Sequence, residues 1–127
     1  MAVPKHPREF FEVPQMFGSG AVRVRDDLGR DRRLRDRATA AVHQHRVVQT
    51  VQRLMLSQGL KQTSLAAATG ISSRRLSRVL TGEAWVHVYD LVALGRVLGL
   101  DLVQVRVIDD LTFDASWTPG RADQGTD

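Results

Sequence analysis

The sequence predicts a mainly α fold, with four helices, a β-strand on their C-terminal side and a short strand near the N-terminus. Three observations carry this reading. Apolar residues recur at helical spacing from Arg46 to Leu98. Glycines at 59, 70, 82 and 99 cut that stretch into short segments. After Gly99 the pattern changes to alternation.

The elements follow in order. Pro4, Pro7 and Pro14, with Gly18 and Gly20, predict an irregular start over residues 1–20. Ala21 to Arg25 alternates and reads as a short strand closed by Asp26-Asp27-Leu28-Gly29. Arg30 to Arg37 is dense in charge of both signs and reads either as a solvated helix or as a segment that orders on DNA. Val48, Val51, Leu54 and Met55 define a first helix from Arg46 to about Gly59. Gln62 to Thr69 is a second, short helix, and Gly70-Ile71-Ser72 is a tight turn with Ser72 as N-cap. Ser73 to Leu80 is the third helix and His87 to Leu98 the fourth. Leu102 to Ile108 is rich in β-branched residues and reads as a strand that needs a partner. The expected organisation is therefore a basic extension over 1–45, a helical unit over 46–100, a strand over 101–110 and an acidic tail over 111–127.

Short helix, glycine turn, short helix is the signature of a helix-turn-helix that reads DNA. On a wheel of about 100° per residue, Val79 and Leu80 fall near Leu76, whereas Arg74 and Arg78 fall about 160° away. Arg75 and Ser77 flank them. One face is apolar, and the other carries arginines whose forked guanidinium can bond guanine O6 and N7 in the major groove.

Leu60-Lys61-Gln62-Thr63-Ser64-Leu65-Ala66, Gly70-Ile71-Ser72, Leu76-Ser77-Arg78, Gly82, Leu91 and Leu98-Gly99-Leu100 resemble the Cro/cI-type, or xenobiotic-response-element, helix-turn-helix family. The likeness covers about 55 residues and implies a four-helix, lambda-repressor-like core. It implies that Gln62 touches a phosphate or braces the reading helix. It also implies that Ser73, Arg74, Ser77 and Arg78 face bases, and that the start of helix four, around Val86-His87, lies against a phosphate. Lys61, Arg75 and His87 join Gln62 as expected backbone contacts. Many members pair an arginine late in helix one with a glutamate before the glycine that ends helix three. Here Met55 and Leu80 stand at those positions, a matched exchange of an ion pair for apolar bulk. The passage from Leu98-Gly99-Leu100-Asp101-Leu102 into a strand is similar to the HipB-type antitoxin branch, where strands pair across a dimer axis. Val103, Val105 and Val107 would then form the dimer interface; the alternative is pairing with Ala21 to Arg25 of the same chain.

Charge agrees with a polyanion partner. Residues 46–98 hold seven Lys/Arg against two Asp/Glu, whereas residues 99–127 hold two against six. Arg30, Arg32 and Arg33 are candidates for an arm that reaches DNA, with a partner-binding helix or a solvated face as the alternatives. Cysteine is absent, which excludes disulfides and thiolate metal sites and fits a cytoplasmic, nucleoid-associated protein. No run of eighteen apolar residues spans a membrane, and Met1 to Met16 lacks the apolar core of a signal peptide. His43 and His45 point to different sides of a helix and make a poor metal pair. Phosphate-binding glycine loops and nucleophile motifs are missing, so neither a cofactor nor catalysis is expected. Trp85 is expected to pack under helix four rather than touch DNA. The functional expectation is a homodimeric, sequence-specific regulator on a palindromic operator, in the first place a repressor. The runner-up is an antitoxin that also binds a toxin. A third reading uses the helical core for protein contacts alone.

Overall fold

The structure, a computed structural model, describes residues 3–103. Four α-helices follow two short 3-10 turns at Pro7–Phe10 and Pro14–Met16. The helices are α1 (Arg32–Gln58), α2 (Gln62–Thr69), α3 (Ser73–Thr81) and α4 (Val88–Leu98). A single core gathers Val48 and Val51 of α1, Leu65 of α2, Leu76 of α3, and Leu94 and Leu98 of α4.

Helix α1 begins fourteen residues before the expected start at Arg46. Asp31 is its N-cap, its carboxylate accepting from the amides of Arg33 and Leu34. The early turns escaped the apolar pattern because their buried face is made of Ala38, Ala41, Gln44 and His45. Small and polar side chains leave little periodic hydropathy, although they are as buried as the valines that follow. The arginine run is thus the exposed start of a long helix, with Arg30 in the turn before it.

The N-terminal residues are irregular as expected, yet they build the core. Phe10, Phe11 and Phe17 are buried against α1. The phenylalanines share one core with Ala38 and Ala41 of α1, and Phe11 and Phe17 stack about His45. The strand expected at Ala21 to Arg25 reduces to one antiparallel bridge, Phe11 with Val24. It is flanked by hydrogen bonds from the Glu12 amide to the Arg23 carbonyl and from the Arg25 amide to the Phe10 carbonyl, both 2.9 Å.

No strand is found among the described residues. Leu102 and Val103 form a bend, and the rest of the expected strand, with Val105 and Val107, lies outside the described residues, as does the acidic tail. Two contacts explain the bend. The Asp101 carboxylate accepts from the Val103 amide at 2.9 Å, an Asx turn that takes the amide a ladder would use. The chain also folds back over Gly95, where a Cβ would stand 2.3 Å from the Leu100 carbonyl oxygen. Only glycine allows that approach.

Candidate nucleic-acid interface

Two short helices joined by a tight turn form the site. Gly70 has φ +79° and its amide returns to the Ala66 carbonyl. The buried Thr69 hydroxyl accepts from the Ile71 amide at 3.2 Å. Ser72 caps α3 by accepting from the Arg75 amide at 3.1 Å. The Ser72 bond satisfies one orphan amide of the start of α3, and the Gly70 and Thr69 bonds hold the turn that joins it to α2. Leu76, Val79 and Leu80 are buried on its inner side.

Arg74 and Arg78 lie on the outer side of α3, where the wheel places them. Ser73, Arg74 and Arg78 are exposed and Ser77 is half-buried beside them. Arg74 and Arg78 have no side-chain partner among the described residues. Lys61 is the exposed N-cap residue of α2, and Gln62 opens that helix, also exposed. His87 is the exposed N-cap residue of α4.

Arg75 departs from the expectation. Its guanidinium turns inward and grips Asp90 of α4 with two hydrogen bonds, and it also donates to the Trp85 carbonyl at 3.3 Å. Asp90 is buried and accepts in addition from the His87 amide at 2.8 Å. Burial pushes the Asp90 carboxyl up, but the Arg75 and His87 hydrogen bonds outweigh it and hold the group below the usual carboxylate range. Arg75 therefore ties α3 to α4. The wheel placed its Cα correctly near the charged face; a side chain this long reaches around the helix to the one buried carboxylate nearby.

Gln44 is a member of the site that sequence reasoning missed. It is buried in α1, donates to the carbonyls of Val79 and Ala84 at 3.0 Å each, and accepts from the Val86 amide at 2.8 Å. One side chain thus satisfies three backbone groups at the exit of α3. A glutamine among the alanines, valines and His45 of the buried face of α1 was the available signal.

Met55 and Leu80 border one hollow of about 270 Å³ together with Gln52, Leu56, Leu60 and Gln62. Leu80 is buried and Met55 half-buried. The hollow joins the end of α1 to the start of α2, where the resemblance places a phosphate contact. Arg32 and Arg33 lie at the opposite end of α1, about 30 Å away along an axis that rises about 1.5 Å per residue. Trp85 is half-buried and packs edge-on against Phe10 of the first 3-10 turn, with centroids 5.9 Å apart, rather than under helix four as expected. Among the described residues there is no cluster of three potential metal ligands and no helix long and apolar enough to cross a membrane.

A tight turn between two short helices, with an apolar inner face and unpaired arginines on the outer one, defines a DNA-binding helix-turn-helix domain. A family model described as helix-turn-helix domain matches residues 30–107, and the chain belongs to that family. No curated protein and no solved structure gives a significant match.

Proposed function

We propose that the protein is a sequence-specific transcriptional regulator, acting as a homodimeric repressor of the Cro/cI type. It inserts α3 into the major groove and blocks a promoter by occupancy, without catalysis or cofactor. Ser73, Arg74, Ser77 and Arg78 read bases. Lys61, Gln62 and His87 hold phosphates at the N-termini of α2 and α4, where orphan amides favour anions. The observation that carries this is the division of labour on α3: Arg75 is neutralised by Asp90, whereas Arg74 and Arg78 remain exposed one turn apart. An arginine with no intramolecular partner is available for a bidentate contact to guanine.

Dimerisation is supported by Val88, Tyr89 and Val92 of α4, which are exposed together with Leu100. Exposed apolar groups that cluster beside a DNA-reading unit suit a second copy of the chain. Such a dimer would set two α3 helices about 34 Å apart, one DNA turn. The antitoxin reading draws on the same face, with a toxin in place of the second copy. Co-purification with the product of a neighbouring gene separates the two.

Selection of duplexes from a randomised library tests the proposal. The wild type is expected to enrich a palindrome. Arg74→Ala and Arg78→Ala should each lose about 1–3 kcal/mol of preference for it over random duplex, with the fold intact by circular dichroism. Undiminished preference in both variants would remove α3 as the reader.

A further inference from the structure

The family match begins at residue 30, yet residues ahead of it are bound to the segment that leaves α3. The Arg8 amide donates to the Gly82 carbonyl at 3.0 Å. The Trp85 indole N–H donates to the Lys5 carbonyl at 2.8 Å. The Arg8 guanidinium lies 3.3 Å from the Glu83 carboxylate. Gly82 leaves no space for a side chain: a Cβ there would stand 2.8 Å from the Phe17 ring and 2.9 Å from the Arg8 Cβ. Its φ of +79° is strained for other residues as well. From the other side Gln44 holds Val79, Ala84 and Val86.

We propose that residues 5–17 are a clamp that sets the pose of the reading helix, and that Trp85 is its positioning residue. The inference rests on α3 reading DNA. A nine-residue helix is about 13 Å long. Tilting it by 10° about one end moves the other by roughly 2 Å, more than a hydrogen bond tolerates. The turn before α3 fixes one end through Ser72 and Gly70. The other end runs into a loop without regular structure, and the clamp holds that loop between Phe10, Arg8 and Gln44. Specific contacts depend on this pose, because a bidentate bond needs both arms of the guanidinium in register. Binding to random duplex depends on it far less, because phosphate attraction is not directional to the same degree.

The experiment measures affinity for the palindrome selected by the wild type and for a random duplex of equal length, each over a range of salt. Trp85→Ala removes both the ring contact with Phe10 and the bond to Lys5. It should weaken binding to the selected duplex about tenfold and leave the random duplex unchanged. Trp85→Phe keeps the ring and should stay within about threefold of wild type. Arg8→Glu sets like charges against Glu83 and should lower the preference, and adding Glu83→Arg should restore it. Undiminished preference in Trp85→Ala overturns the clamp. So does an equal loss on both duplexes, which marks a direct backbone contact instead. Should Trp85→Ala fail to fold, the charge swap decides: no loss in Arg8→Glu, or no recovery in the double variant, overturns the proposal. A wild type that enriches no duplex refutes the DNA-reading assignment itself.

Discussion

Two segments of this protein are rich in arginine, and they are built differently. The first turns of α1 carry Arg32, Arg33, Arg35 and Arg37, interrupted by Asp36 and preceded by Asp31. Three of their guanidiniums stay in solvent, and Arg35 folds back onto the Gly29 carbonyl at 2.8 Å. Helix α3 has only Arg74, Arg75 and Arg78, but it is fastened at both ends and its opposite face is buried. Arginine count would favour α1; the packing around α3 is what turns arginines into a defined array. A directional contact needs a rigid carrier tied to the rest of the fold, whereas a charged helix end offers only diffuse attraction.

The comparison breaks most visibly at Arg75. Arg75→Ala leaves the Asp90 carboxylate buried without its cation, and a loss of about 3 kcal/mol in unfolding free energy is expected, the lower end for a buried pair because Arg75 is partly exposed. Arg32→Ala should change stability by no more than about 0.5 kcal/mol. Urea titration of the two variants measures both, and equal effects would mean that the inward pair does not tie α3 to α4.

Next in size is the contrast in binding. Combined replacement of Arg32 and Arg33 by alanine should leave preference for the selected duplex within about 0.5 kcal/mol of wild type, against about 1–3 kcal/mol for Arg74→Ala. The slope of log K against log salt sharpens this. An unchanged slope assigns the start of α1 to solvent or a protein partner. A slope reduced by about one per arginine would make it a backbone contact after all.

The smallest effect concerns the joint between the N-terminal segment and α1. His45 is buried among Phe11 and Phe17, and its Nδ1 accepts from the Gly18 amide at 2.8 Å. Burial pushes its pKa below the ordinary 6.5. The unfolded chain therefore binds a proton that the folded chain refuses, so stability is full above pH 6.5 and falls as the pH drops from there toward the folded pKa. His45→Gln should flatten thermal stability over that window. A wild-type melting temperature constant from pH 7 downward through that range would show that protonation is accommodated.

Sequence reasoning succeeded where the information was local. The glycine turn, the Ser72 cap and the apolar stripe of Leu76, Val79 and Leu80 are decided within a dozen residues by backbone sterics, orphan amides and helical period. That is enough to specify the reading unit and the outward direction of Arg74 and Arg78. The early turns of α1 were hidden because alanine, glutamine and histidine line their buried face, and their burial depends on phenylalanines some thirty residues away. The pairing of Arg75 was not legible because its partner lies fifteen residues on, in another helix. Gln44 acts on carbonyls thirty-five and forty residues away. The bend at Leu102 combines a local Asx turn at Asp101, which the alternation overrode, with the close approach of the chain to Gly95. The sequence alone determined which residues form the two short helices and which side of α3 is polar, since both follow from neighbours along the chain. Only the tertiary structure decided which of the three arginines is paired, and what holds the loop after α3. Both depend on side chains from distant segments competing for the same buried polar groups, and that competition exists only once the helices are packed.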